Sequence, residues 1–203
     1  MAEPGKRLER SRQRRDRIVE AARRCFGERG FADATVEAIA SGAGVSNGLL
    51  YQFFRGKEHL FQVVVADVTR DWVRALVPGT DEALSPEARL EAMFRRSVAF
   101  CRNHPLLPKI LTGDARLQLE RIGNPDQERI HAHREWIATV LREGIASGAF
   151  AADLDVASVA DVIQQIHIDY STRAYRREAD FPAHPELIDA AARFIHDAVR
   201  AKR

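Results

Sequence analysis

The stretch TVEAIASGAGVSNGLLYQFFRGKEHL, residues 35–60 of a chain of 203, decides the fold. Thr35 and Ser46 each stand directly before a short run of helix-compatible residues, where a hydroxyl side chain caps a helix N-terminus. Gly42 and Gly44 break the chain between the two runs. Two short helices joined by a glycine-containing turn form a helix-turn-helix, whose second helix enters the DNA major groove. The stretch therefore predicts a DNA-binding head.

Working outward from this stretch, the residues before it carry a surplus of positive charge. Residues 1–60 hold 12 Lys and Arg against 8 Asp and Glu, whereas the remaining residues hold 19 against 21. Most of the surplus precedes Ile18, where seven basic residues accompany three acidic ones. This composition indicates an arm for a polyanion, and a merely solvated tail is the alternative.

The positions of apolar residues predict helices in both directions from the stretch. Apolar side chains recur at intervals of three and four rather than two, which is the α-helical period. A first helix carries a stripe from Ile18 to Phe26 and is expected to close at Gly27 and Gly30, because glycine adopts left-handed C-terminal geometry cheaply. Further helices are expected within residues 57–77, 90–101, 103–112, 127–148, 156–174 and 187–199. Residues 114–125 stay ambiguous between helix and loop.

We therefore predict an all-α chain of two parts. The helix-turn-helix head, with its basic N-terminal arm, is expected over residues 1–60, and a helical body over residues 61–203. A short polar interval at residues 80–86 is taken as the linker to the second helical set.

Composition excludes several classes of protein. Apolar residues make up 45% and charged residues 30%, the balance of a globular protein with a core, so disordered and collagen-like classes are excluded. The longest stretch without a charged residue, 38–54, contains three glycines, so we expect no transmembrane helix. The charged N-terminus has no apolar segment behind it, so we expect no secretory signal and a cytoplasmic protein. Cys25 and Cys101 are too few for a disulfide framework or a zinc site, and no cofactor or metal is expected.

Residues 18–60 also resemble the DNA-binding head of the TetR family of transcriptional regulators. The resemblance rests on IVEAARRCFGERGF, residues 18–31, followed by the stretch quoted first. It implies a homodimer whose two heads reach adjacent major grooves of a near-palindromic operator. It also implies a repressor that a small molecule, bound in the body, releases from DNA.

The resemblance carries roles onto individual residues of the head. Thr35, Ser46, Tyr51 and Lys57 match phosphate contacts, Asn47 and Gly48 match positions near base edges, and Glu37 and Gln52 are further candidates. The chemistry agrees, because hydroxyl, phenol and ammonium groups bond phosphate oxygens and a side-chain amide can read adenine. Leu49 departs from the family, where this position is commonly small or hydroxylated, and is expected to meet a thymine methyl group.

Each of these residues also has an ordinary structural interpretation. Tyr51 could be a core aromatic, Lys57 could form a solvated pair with Glu58, and Thr35 and Ser46 could be caps alone. Jointly, at this spacing and behind a basic arm, the residues favour DNA binding.

The body contains polar and aromatic residues at helical spacing that suit a small-molecule pocket. We expect an apolar or aromatic effector there, and satisfied core residues are the alternative for each position. The candidate effector residues are Phe94, Phe100, Cys101, Leu111, Trp136, Gln164, His167 and Tyr170, with His133 as a further polar member of the set.

The last two predicted helices have wide apolar faces. Val162 lies away from the main stripe of its helix, which suits a four-helix interface with two helices from each subunit. We therefore expect a homodimer through these helices, with ordinary packing within one chain as the alternative.

Two other functional classes were weighed. An enzyme would have to use His104, His131, His133 or His167, but His131 and His133 point about 200° apart on a helix and cannot share a metal without another segment. No phosphate loop, nucleophile elbow or HExxH motif is present. A helical dimer that binds a protein partner is the other class. Steep salt dependence of duplex binding would distinguish the regulator from both.

Overall fold

The computed structural model describes residues 4–77, 83–111, 127–175 and 185–201. Regular structure within these ranges is helical, apart from one isolated bridge between Phe150 and Arg200. The predicted all-α class is confirmed. The ambiguous segment 114–125 and part of the predicted linker lie outside the described residues.

The helices are α1 (Pro4–Asp33), α2 (Val36–Ala43), α3 (Asn47–Phe53), α4 (Lys57–Leu76), α5 (Pro86–Asn103), α6 (Leu106–Leu111), α7 (Gln127–Ala146), α8 (Val156–Tyr175) and α9 (Pro185–Val199). They divide into two compact units. The head unit comprises the described residues up to Val68 together with residues 105–111, and the body unit comprises the others. The domain division predicted after residue 60 stays a prediction, since compactness does not establish which part folds by itself.

The head unit is built on the apolar stripe of α1. Ile18, Ala22 and Phe26 are fully buried, together with Ile39 of α2 and Leu50 of α3, as are Leu60, Phe61 and Val64 of α4. The rings of Phe26 and Phe61 meet edge to face with centroids 4.9 Å apart. Burying these stripes against one another fixes the two short helices on α1 and α4.

Helix α1 differs from its prediction at both ends. It begins at Pro4, so the basic arm is helical, and it continues through Gly27. A β-carbon at Gly27 would lie 3.5 Å from Pro105 and 3.8 Å from the Leu106 side chain, which are ordinary van der Waals contacts with the start of α6. Gly30 does break the helix as expected, because its φ of 80° is left-handed backbone that other residues rarely adopt.

The body unit packs α8 against α5 and α7. Ser85 caps α5 by accepting a 3.3 Å hydrogen bond from the Ala88 N–H, and Pro86 occupies the first turn, where its missing N–H costs nothing. The ring of Phe150 lies where a side chain at Gly144 would stand, so α7 admits that ring only because residue 144 is glycine.

Candidate functional site

The turn of the helix-turn-helix is fixed by local hydrogen bonds. The Thr35 hydroxyl oxygen accepts from the Ala38 N–H at 3.2 Å and begins α2. Gly44 ends α2 in a left-handed conformation, with φ 64° and ψ 39°, and its N–H donates to the Ser41 carbonyl at 3.0 Å. The chain then turns directly into α3.

Helix α3 presents one exposed face. The Ser46 hydroxyl oxygen accepts from the Leu49 N–H at 3.2 Å and caps the helix, while Leu50 is fully buried beneath it. Turning away from Leu50, the exposed residues are Asn47, Gly48, Tyr51 and Gln52. They stand at positions i, i+1, i+4 and i+5, which share one side of a helix.

Tyr51 and Asn47 are available for an external partner. Tyr51 is 55% exposed, so the alternative that it is a core aromatic is wrong; that place belongs to Phe54, which is buried. Among the described residues, neither the Tyr51 hydroxyl nor the Asn47 amide has a hydrogen-bond partner. Leu49 is half-buried at the edge of this face, and Glu37 is exposed in the first turn of α2.

Gly48 lies in the middle of the exposed face. Among the described residues, no atom lies within 4 Å of the place where a β-carbon at this position would stand. Its backbone does not have positive φ, so neither strain nor packing within the described residues requires glycine there. This position therefore leaves room for the close approach of another molecule.

Lys57 occupies an unexpected position. Its Nζ donates to the carbonyl oxygens of Phe31, Ala32 and Ala34 at 2.9, 3.2 and 3.0 Å, and lies 4.5 Å above the centre of the Phe31 ring. The carbonyls at and just after the C-terminus of α1 lack intrahelical partners, and an ammonium is the favourable charge there. The alternative of a solvated pair with Glu58 is therefore wrong, and the phosphate contact stays a prediction beside this structural role.

The body unit contains a buried polar and aromatic cluster around Trp72. Its indole stacks on His167 with ring centres 5.7 Å apart, and its Nε1 donates to the Ser97 hydroxyl at 3.1 Å. The Ser171 hydroxyl donates to Ser97 at 2.7 Å. Phe94 meets the His167 ring edge to face at 5.2 Å.

His133 joins the cluster from α7. The Gln164 amide donates to its Nδ1 at 3.1 Å and to the Ile130 carbonyl at 2.9 Å, so the proton of the neutral ring is on Nε2, which faces the Met93 sulfur at 3.3 Å. Burial lowers the pKa of His133 to about 4. This imidazole is therefore neutral at ordinary pH and fully partnered.

His167 is different, because both of its ring nitrogens are buried without a hydrogen-bond partner among the described residues. Burial, and secondarily the neighbouring His133, lowers its pKa well below the usual range. Leaving a buried polar group unpaired costs about 1–3 kcal/mol. Of the predicted effector residues, His167 is thus the one whose buried polar atoms lack a hydrogen-bond partner among the described residues.

The structure brings some of the predicted effector residues together and leaves others apart. Phe94, Gln164 and His167 meet in the cluster, and the half-buried Trp136 lies 6.5 Å from His133 between ring centres. Cys101 is fully buried, which raises the pKa of its thiol to about 12. The other three are half-buried and lie elsewhere: Phe100 stacked on His104, Tyr170 on α8, and Leu111 in the head unit.

A separate cavity of about 260 Å³ lies between α5 and α9. Its apolar wall is formed by Leu90, Phe94, Phe150, Ile195 and Val199. Phe94 is the member of the predicted set that lines it, and Phe94 also contacts His167. The Phe94 ring is therefore in contact with both the cavity and the cluster.

The described residues contain neither a group that could hold a metal ion nor a helix that could cross a membrane. No group of three His, Cys, Asp or Glu side chains in the described ranges could hold a metal ion. His131 is exposed whereas His133 is buried, as opposite directions on a helix require. None of the helices described is long and apolar enough to cross a bilayer.

Comparison with known proteins identifies the head. Residues 18–64 match the family model described as bacterial regulatory proteins, tetR family. The chain is 32% identical over 146 residues to the HTH-type transcriptional repressor KstR2 of Mycolicibacterium smegmatis, covering 70% of each chain. The chain belongs to the TetR family. It is a DNA-binding transcriptional regulator, as the head predicted.

Solved structures with the same fold extend over nearly the whole TetR-family chain. The fatty acid degradation regulator FadR from Bacillus halodurans matches with a TM-score of 0.75 and 21% identity, over 92% of this chain and 96% of that one. The ketosteroid transcriptional regulator KstR2 of Mycobacterium tuberculosis matches with a TM-score of 0.64 and 24% identity, over 93% and 96%. At sequence identities of 21% and 24%, the similarity shows a shared fold and nothing more.

Sequence reasoning about this TetR-family chain missed part of the body cluster. Ser97, Ser171 and Met93 were not predicted, although each stands on a helical stripe with apolar neighbours. Trp72 is buried on α4, and its indole N–H is bonded to Ser97. A buried tryptophan needs an acceptor, so a search for serine at helical spacing could have found Ser97.

Proposed function

We propose that this regulator is a homodimeric repressor that binds a near-palindromic operator and is released by a small-molecule effector bound in its body unit. The observation that carries the proposal is the exposed face of α3, where Asn47, Gly48, Tyr51 and Gln52 stand together over a buried Leu50. The chain would act in the cytoplasm by binding alone, without catalysis.

Contacts within each half-site follow from the geometry of the head. Thr35 and Ser46 place the N-termini of α2 and α3 outward, and such termini attract phosphate through free N–H groups and the helix dipole. Tyr51 would bond a further phosphate and fix the register. Lys57 would bond a phosphate by exchanging one of its three carbonyl acceptors for a phosphate oxygen. Asn47 would read a base edge, and Leu49 would meet a thymine methyl group. Glu37 and Gln52 are further candidates for contacts with the DNA.

Repression is supported by relatives. The KstR2 proteins of Mycolicibacterium smegmatis and Mycobacterium tuberculosis are named transcriptional repressors, and each covers about 70% of this chain at 32% identity. Because the similarity extends beyond the head, a shared mode of regulation is favoured.

The effector would be apolar or aromatic with a hydrogen-bonding group. The Trp72 and Phe94 rings offer flat apolar surface, and His167 offers a donor and an acceptor that the described residues leave unused. The fatty acid degradation regulator FadR and the ketosteroid regulator KstR2 have the same fold, and fatty acids and ketosteroids are largely apolar molecules with oxygen groups. Phe94 is the side chain whose rotation would connect the α5–α9 cavity with His167.

Dimerisation through α8 and α9 is supported by exposed apolar side chains. Val162 of α8 is 55% exposed and Phe194 of α9 is 66% exposed. Large apolar side chains at such positions are typical of surfaces that a second copy covers.

The test is to retain genomic DNA fragments on the purified protein and sequence them. We expect an inverted repeat with half-sites about 34–36 Å apart or a multiple of that distance, and increased transcription from the adjacent promoters when the gene is deleted. Retention of no common sequence would refute the proposal, and decreased transcription after deletion would refute repression.

A further inference from the structure

Residues 5–17 of α1 form an exposed helix that the core does not explain. Residues 5–17 are exposed except for the half-buried Ser11, whereas burial in the head core begins at Ile18. A short helix without a buried face is marginal in water. This segment extends the packed part of α1 as one helix. Because its residues contribute little to the core, their composition indicates a role other than folding.

The basic residues of this segment are arranged on one face. Arg7, Arg10, Arg14 and Arg17 are spaced by three, four and three residues, which places them within an arc of about 80° at 100° per residue. Arg10, Arg14 and Arg17 border one shallow surface depression together with Gln13 and Asp16. We call these four residues the arginine face. Arg12 lies on the opposite side of the helix.

The charge of the arginine face is not neutralised within the protein. Across the ranges that the structure describes, none of the four arginines makes an ion pair. The nearby acids are engaged by other residues: Glu9 accepts from Gln13 at 3.2 Å, and Asp16 lies 4.0 Å from Arg15. Four like charges kept together on a helix repel one another, so the arrangement favours a polyanionic partner.

A direct contact holds the exposed helix beside the residue that follows α3. The Arg15 guanidinium lies 5.6 Å from the ring centre of Phe54, the residue that follows α3. This cation–π contact comes from the side of the helix that the arginine face does not use. The segment is therefore held beside the end of the recognition helix.

We propose that the arginine face binds the phosphate backbone of duplex DNA outside the groove that α3 enters. Arg7 and Arg17 are ten residues apart, or about 15 Å along a helix, and phosphates of one strand rise about 3.4 Å each, so the face spans roughly four of them. A lipid surface fits less well, because membrane-bound helices need an apolar face and Leu8 is the one large apolar side chain within residues 5–17.

The inference rests on the proposed function, and it predicts a measurable salt effect. Each phosphate contact contributes about 0.9 to the slope of log affinity against log salt concentration. The double variant Arg10→Gln/Arg14→Gln should therefore lower the slope by about 2 per subunit, or about 4 per dimer. A control variant, Arg12→Gln/Arg142→Gln, removes the same charge from the opposite side of α1 and from an exposed site in the body.

The experiment measures fluorescence anisotropy at several salt concentrations with three duplexes. These are the recovered operator with about 15 flanking base pairs on each side, the same operator trimmed to its half-sites, and a random sequence of the longer length. On the long duplexes the arginine-face variant should lose slope and the control should not. On the trimmed duplex, wild type and variant should have nearly equal slopes.

Equal slopes for the arginine-face variant and the control on the long duplexes would overturn the proposal. So would a variant that binds both long duplexes as wild type does but no longer sediments with phosphatidylserine vesicles. If the wild type prefers no sequence, the proposed function fails by itself, and the random duplex still tests the arginine face. Circular dichroism should give unchanged helicity and melting for both variants, because the altered residues are exposed.

Discussion

Substitution of Gly48 by alanine separates the stability of α3 from its contact with DNA. The added methyl group would meet none of the described atoms within 4 Å, so it introduces no clash with that part of the free protein. Alanine is favoured over glycine inside a helix by up to about 1 kcal/mol. For a protein of this size, that gain should raise Tm by about 2–4 °C.

The same methyl group should weaken DNA binding. If base edges approach the backbone at Gly48, the methyl group must displace them, and overpacking of that kind costs about 1–3 kcal/mol. This corresponds to a loss of about 5- to 150-fold in affinity for the operator. The unusual expectation is a variant that is more stable and yet binds DNA less well.

The assay pairs thermal melting with anisotropy on the operator duplex. Gly42→Ala is the matched control, because Gly42 is also helical and exposed, and a β-carbon there would make an ordinary 3.7 Å contact with Ala21. The control should keep its DNA affinity. A Gly48→Ala protein with a raised Tm and unchanged operator affinity would refute the idea that DNA closes on this position.

Three further predictions concern the head and the body. Lys57→Met should lower the free energy of unfolding by about 1–3 kcal/mol in denaturant titrations, because the carbonyls at the end of α1 lose a charged donor; unchanged stability would contradict the capping role. Asn47→Ala should relax the base preference at one position per half-site, at a cost of about 1–3 kcal/mol for the favoured pair, and an unaltered motif in randomised-site selection would exclude that role. The lowered pKa values of His133 and His167 mean that the unfolded chain binds more protons between about pH 6.5 and pH 4, so stability should be full above this window and fall as the pH falls through it. His167→Phe, which removes the two unpartnered nitrogens, should reduce that loss in unfolding titrations at pH 7 and pH 5, whereas an identical loss would show that His167 does not titrate in this window.

Local signals predicted the head well, and long-range contacts account for what they missed. Thr35 and Ser46 cap helices because the bond each makes spans three residues, so the sequence alone contains both partners. The acceptors of Lys57 lie 23 to 26 residues away, and no pattern along the chain joins them. Gly27 was expected to end a helix, but α1 continues through it, and its neighbours Pro105 and Leu106 lie far away along the chain.

The start of α1 shows a second limit of periodicity. Residues 5–17 carry few apolar side chains, so no stripe marked them as helical, and the helix continues there from the packed segment after Ile18. In the body, the spacing of Phe94, Gln164 and His167 placed each on an inward face. Which of these inward faces contact one another depends on how α5, α7 and α8 pack in three dimensions. The spacing of residues along the sequence does not predict that packing.

The position of Trp72 suggests how an effector would act on DNA binding under the proposed function. Helix α4 is unbroken from Lys57 to Leu76, so the helix that carries Trp72 in the body cluster begins with the lysine that holds the end of α1. A ligand that forms a hydrogen bond with His167 would shift the imidazole ring that stacks on Trp72. If Trp72 shifts in turn, its indole must either lose the hydrogen bond to Ser97 or move together with α4. Such a ligand changes operator affinity only if its own affinity differs between the position of α4 in the DNA-bound protein and the position of α4 in the released protein. Operator DNA must then weaken effector binding by the same factor, so equal effector affinities with and without DNA would separate the cluster from regulation.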